Sequence, residues 1–217
     1  MDKATFITAI APLAVDGQIR IGVLASITIA QAALESGWGM AAPGNNLFGI
    51  KGTGQDIVTG EYADGRFVTV KDGFRMYASW EESIIDHSRY LLANSRYRAA
   101  GFWERCAELD YRGAARALQT AGYATDPNYA GKLIALIEAN YLARYDRVAA
   151  ARTDEKKPAE LEAWQWKMLG DSLEGLSREG FLTDSQWTRK AYSAAMTVSE
   201  LEWLGAILFA RDKGIDV

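Results

Sequence analysis

Apolar residues recur at helical spacing from the start of the chain. The run TFITAIAPLAV predicts a first short helix, and IGVLASITIAQAALE predicts a longer, nearly all-apolar second helix that must be buried. Glu35 ends that second run, directly before Ser36, Gly37 and Trp38. Negative charge is mildly unfavourable at a helix C-terminus, so local stability does not account for it. In PGNNLFGIKGTG the dense Gly and Asn predict a loop, after which the period changes. QDIVTGEYADGRFVTV holds two runs rich in Val, Thr, Tyr and Phe around Ala63-Asp64-Gly65, the signature of a β-hairpin.

Helical patterning resumes at Ser79-Trp80-Glu81-Glu82, a capping-box form, and predicts a helix to about Asn94. Another helix or pair of helices follows between Phe102 and Gln119. In GYATDPNYAGKL, Asp126 reads as a helix cap with Pro127 at the first helical position. Residues 149–158 are small and charged with one Pro, the composition of a linker or an exposed helix extension. A boundary there divides the chain into a domain over 1–148 and a module over 159–217. Within that module Thr183-x-x-Gln186 and Thr197-x-x-Glu200 have capping-box form, and Leu201, Leu204 and Leu208 with Trp203 and Ile207 make an apolar stripe. The pattern predicts a mainly α (α+β) first domain with a small β-hairpin lobe, followed by a small all-helical module.

Composition narrows the chemistry. The chain has 217 residues, 49% of them hydrophobic, enough for a sizeable core. No apolar run reaches the roughly 20 residues of a membrane span, and MDKATFITAIAPLAVDG lacks the features of a signal peptide, so synthesis in the cytoplasm is expected. A net charge of −4 without a basic run disfavours nucleic acid as a partner. Cys106 is the single cysteine and His87 the single histidine, so neither a disulfide nor a metal cluster is expected, and nothing demands a cofactor. A neutral sugar polymer, held by aromatic faces and hydrogen bonds, suits a chain with 7 Trp and 10 Tyr.

Breaking a glycosidic bond needs an acid for the leaving oxygen and a group that stabilises the oxocarbenium-like centre. Glu35 is the candidate acid: beside Trp38 and apolar helix residues its charged form is poorly solvated, which raises its pKa. Glu61, carried on the hairpin, is the candidate second carboxylate, cooperating only if the hairpin folds over the cleft. Tyr123 and Tyr129 are each able to present a phenol to a sugar, Asp126 is most economically a cap, and His87 is structural.

Four segments, AQAALESGWG, NNLFGIKG, FRMYASWEESIIDHSRYL and GYATDPNYAGKL, resemble in order and spacing glycoside hydrolase family 73, the endo-β-N-acetylglucosaminidases of autolysins, flagellar peptidoglycan hydrolases and phage endolysins. The resemblance covers residues 1–146. It implies a lysozyme-like helical domain with a mobile hairpin lobe, Glu35 as general acid, Glu61 as second carboxylate and Tyr123 in the active site. The segment between NNLFGIKG and the hairpin is shorter than in many relatives, which loosens the registration of Glu61. Trp38, Asn46, Phe48 and Tyr129, on the same segments, are the expected substrate-binding side chains.

The implied reaction is cleavage of the β-1,4 bond on the reducing side of N-acetylglucosamine in peptidoglycan, either with inversion or with assistance from the substrate's acetamido group. The expected setting is an endolysin made in a host cytoplasm and acting on the wall after release, its C-terminal module holding a wall polymer. The competing readings are an N-acetylmuramidase or lytic transglycosylase, and a non-catalytic wall-binding or phage structural protein.

Overall fold

The computed structural model describes residues 1–215 apart from Asp64, Gly65 and Lys156, and describes side chains outside 57–71 and Glu155. The chain divides into two compact units, Met1–Ala150 and Ala151–Val217.

The first unit opens with α1 (Lys3–Ile21), capped by Asp2, whose carboxylate accepts from Thr5 N at 3.0 Å. The helix is longer than the sequence pattern predicts. Gly17 lies inside it, where α3 (Trp80–Ala93) passes close by: a Cβ there would stand 3.2 Å from Ile84 Cγ2. Gly22, at φ 97°, ends α1 instead, in a left-handed conformation that costs glycine little.

The second helix, α2 (Ala25–Glu35), is correspondingly shorter than predicted. Every residue from Ala25 to Ala33 is buried, and α2 packs against α1, α6 (Tyr111–Thr120) and α7 (Tyr129–Ala139). Its N-cap is Leu24, which offers no side-chain acceptor. Distant residues supply what is missing. Gln18 Oε1 accepts from Ala25 N at 2.8 Å, and Asp146, on α8 (Ala143–Glu155), accepts from Ser26 N at 2.8 Å and from Ser26 Oγ at 2.6 Å. The first-turn amides of a helix have no intrahelical partners, so these contacts let α2 sit in the middle of the core. Full burial of each of its large side chains, Ile27 and Ile29, contributes about 1.5–3 kcal/mol.

Strands β1 (Gly54–Ala63) and β2 (Arg66–Arg75) form an antiparallel hairpin in which Glu61 pairs with Val68 and Ala63 with Arg66. The Asp64-Gly65 turn expected from the sequence lies outside the described residues. The remaining helices of this unit are α4 (Ser95–Ala99) and α5 (Phe102–Ala107), with α6 closing the segment read as a helix or pair of helices. Ser79 caps α3 by accepting from Glu82 N, while Glu82 reaches back to Ala78 N, one residue earlier than a reciprocal capping box.

The residues from Ala149 to Glu155, within the expected linker, continue α8 as helix. The second unit holds α9 (Ala163–Arg178), α10 (Gln186–Tyr192) and α11 (Val198–Asp212) around Trp166, Leu173, Leu182, Met196 and Leu204. Thr197 and Glu200 form the predicted reciprocal box at α11. Thr183 and Gln186 do not form theirs: Ser185 precedes α10, and Asp184 accepts from Gln186 N instead.

Candidate active site

Glu35 is the last residue of α2, and the backbone leaves the helix sharply after it. Gly37, Trp38 and Gly39 take φ values of 55°, 63° and 79°, and Trp38 N donates back to Ala33 O at 2.9 Å. A left-handed tryptophan is strained by about 1–3 kcal/mol, and packing holds it there. The Trp38 ring meets Phe6 edge-on at 5.8 Å, with Lys3 Nζ 5.2 Å above it. Trp38, half-buried, thus packs on Phe6 and lies outside the residues that line the cleft around Glu35.

The cleft, of about 460 Å³, is lined by Glu35, Phe48, Gly49, Ile50, Lys51, Tyr90, Tyr123 and Ala124. Glu35 is open to it, while protein crowds the rest of its carboxyl. Loss of hydration raises the Glu35 pKa above its ordinary value, and a hydrogen bond from Tyr129 works against that rise.

Tyr129 is the first residue of α7. Asp126, expected as the cap, instead accepts from Asn128 N at 2.9 Å and pairs with Lys132 at 2.5 Å, moving the helix start on to Tyr129. Gln119 of α6 satisfies an α7 amide by accepting from Ala130 N at 2.8 Å. The Tyr129 hydroxyl, buried, donates to Glu35 Oε1 at 2.8 Å and accepts from Gln31 Nε2 at 3.0 Å. Tyr129 is thus a partner of Glu35 behind the cleft wall rather than a sugar-facing phenol. Tyr123, half-buried, takes the place on the cleft side, lining the cleft and stacked on Tyr129 with centroids 5.5 Å apart. Burial and the charge of Glu35 push its phenol well above the ordinary value, so it stays protonated and able to donate.

Asn46, expected to bind substrate, is buried and serves as a brace. Its Nδ2 donates to Ile50 O at 3.0 Å and to Arg75 O at 3.1 Å, while Oδ1 accepts from Ile50 N at 3.0 Å. This ties the loop carrying Phe48, Gly49 and Ile50 to the end of the hairpin. Phe48 does line the cleft, stacked on His87 at 3.9 Å and 9°. His87 in turn meets Tyr123 edge-on at 5.9 Å. Burial lowers its pKa to about 3, so it stays neutral and acts as an aromatic spacer beneath the floor.

Glu61 lies in β1, and its side chain is outside the described residues. Tyr90, Lys51 and Gln31 were not singled out from sequence. Gln31 precedes Glu35 by one turn and Tyr90 follows His87 by one turn, so helical spacing alone would have placed them on the same faces. Among the described residues no group of His, Cys, Asp and Glu is placed to hold a metal ion.

Residues 11–142 match the glucosaminidase family model, described as mannosyl-glycoprotein endo-beta-N-acetylglucosaminidase. The chain is 43% identical over 133 residues to the exo-glucosaminidase LytG of Bacillus subtilis (strain 168), spanning 58% of this chain and 47% of that protein. It is 42% identical over 130 residues to the peptidoglycan hydrolase FlgJ of Salmonella typhimurium, spanning 54% and 40%. The chain thus covers less than half the length of these relatives. Among solved structures, the catalytic domain of the autolysin Auto from Listeria monocytogenes aligns with a TM-score of 0.57 at 37% identity, over 66% of this chain and 86% of that one. The glycoside hydrolase domain of Salmonella typhimurium FlgJ, C-terminally truncated, aligns with a TM-score of 0.54 at 37% identity, over 64% and 98%. The mainly α, lysozyme-like fold read from the sequence is the fold of these domains.

Proposed function

Because the chain belongs to the glucosaminidase family, we propose that it is a peptidoglycan hydrolase that cuts the β-1,4 bond after N-acetylglucosamine. The observation that carries this reading is Glu35: a carboxyl with a raised pKa, open to a cleft on one side and held by Tyr129 on the other. Protonated, Glu35 donates to the glycosidic oxygen as the bond to the anomeric carbon breaks. Tyr123 and Phe48 supply an aromatic wall for the sugar ring.

The electron-poor carbon is then met by water activated by Glu61 or by the 2-acetamido oxygen of the substrate. The anomer released decides between them, since net inversion excludes the acetamido route. Mass spectrometry of digested peptidoglycan tests the bond assignment. Fragments ending in reducing N-acetylglucosamine are expected; reducing N-acetylmuramic acid or anhydro ends would replace the reading by muramidase or transglycosylase action, and no fragments by a binding role.

The second unit lies outside the family match. We propose that it holds a wall polymer, supported by the exposure of Trp164 and Trp203, 63% and 53%. Co-sedimentation of the full chain with purified walls tests this, with weaker pelleting expected for Trp164→Ala and Trp203→Ala. An endolysin role is a further part of the proposal. Co-expression with a holin tests it: lysis that needs both the holin and Glu35 is expected.

A further inference from the structure

Gln31 is fully buried in α2, one turn before Glu35, amid apolar neighbours. Its Oε1 has no hydrogen-bond partner among the described residues, although its Nε2 is engaged with Tyr129. A buried amide with one end unsatisfied is a cost to the fold that a leucine would not carry. Its neighbours explain what the amide does there.

A tyrosine hydroxyl has one proton to give and lone pairs with which to accept. The carboxylate of Glu35 is the stronger acceptor, so the Tyr129 proton points to Oε1. The group on the other side of that hydroxyl must then donate, and the Gln31 amide nitrogen does. Hydrogen bonds in such a chain polarise one another in the same direction.

We infer that Gln31 is a positioning residue for the acid: its amide sets the direction of the Tyr129 hydroxyl, which keeps Glu35 Oε1 as an acceptor and leaves the transferable proton on Oε2. Among the described residues Oε2 has no hydrogen-bond partner, and Glu35 lines the cleft. Without Gln31, the Tyr129 hydroxyl can turn and accept from Glu35, parking the proton on the oxygen that cannot reach a substrate. The inference rests on reading Glu35 as the general acid.

The test is the pH profile of kcat and kcat/KM on purified peptidoglycan for the full chain and for Gln31→Leu, Tyr129→Phe and the double variant, with Glu35→Gln alongside. Gln31→Leu is expected to lower kcat about tenfold, the loss of one hydrogen bond of ordinary net strength, with KM unchanged. Its basic limb moves to higher pH, because a less polarised tyrosine stabilises the Glu35 carboxylate less. Tyr129→Phe moves the limb the same way and further, and the double variant matches Tyr129→Phe, since Gln31 acts only through Tyr129. A folded Gln31→Leu with a wild-type limb, or shifts that add in the double variant, overturns the inference. Gln31→Met repeats the measurement should Gln31→Leu not fold. Activity retained by Glu35→Gln overturns instead the assignment of the acid, whatever Gln31 does.

Discussion

Asp146 caps a helix that begins 120 residues before it: its two carboxylate oxygens accept from Ser26 N at 2.8 Å and Ser26 Oγ at 2.6 Å. The helix so capped is the one that ends in Glu35, so the placement of the acid depends on a contact at the far end of its own element. Gln18 reinforces the arrangement by donating to Asp146 O at 3.2 Å while accepting from Ala25 N.

Replacing Asp146 by Ala removes the cap and leaves two buried donors of Ser26 without partners. The expected cost is about 2–3 kcal/mol of unfolding free energy, read as a lowered denaturant midpoint of the first unit. A midpoint within error of wild type would show that α2 does not depend on this cap.

Burial also raises the Asp146 pKa from 3.8 to about 6, against the opposing hydrogen bonds of Ser26. An acid whose pKa is higher folded than unfolded binds protons more tightly in the native state, so its contribution to stability grows as pH falls from about 6 to about 4 and is flat above. The full span is about 3 kcal/mol at most. Asp146→Asn, which cannot titrate, should lose this component; the difference between the two proteins across that window is the measurement, and a constant difference would refute it.

Tyr123→Phe removes a protonated phenol from the cleft while keeping the ring stacked on Tyr129. A fall in kcat of about 10²-fold is expected, with the melting temperature nearly unchanged. Wild-type release of soluble fragments would take the hydroxyl out of the reaction.

Asn46→Ala deletes three hydrogen bonds, two of them buried, that hold the Phe48–Ile50 loop against the hairpin's end. About 2–3 kcal/mol of stability should be lost, and KM should rise as the cleft wall loosens. If Asn46 binds sugar instead, KM rises while the unfolding midpoint stays in place.

Trp38→Leu should lower the melting temperature, through loss of packing on Phe6, and leave KM close to wild type. A large rise in KM without loss of stability would return Trp38 to the substrate side.

Much of this protein was legible along the chain, because some of its signals are local. Helical spacing and capping forms foretold α3 and α11, alternation foretold the hairpin strands, and Glu35 stood out by ending a buried helix against its dipole. The errors cluster where a partner is far away in sequence. α1 runs on to Ile21 with Gly17 close against Ile84 of α3, α2 starts at Ala25, where Gln18 and Asp146 satisfy its first amides, and Asp126 yields the start of α7 to Tyr129. The site divides in the same way. Sequence by itself determined the carboxyl, the phenols and the segments that carry them. Only the tertiary structure decided that Tyr129 holds Glu35 while Tyr123 faces the cleft, that Asn46 and Trp38 are braces, and that Gln31 completes the chain behind the acid. Residue type sets which hydrogen bonds a side chain is able to make, and the packing of α2 against α7 sets which of them it makes.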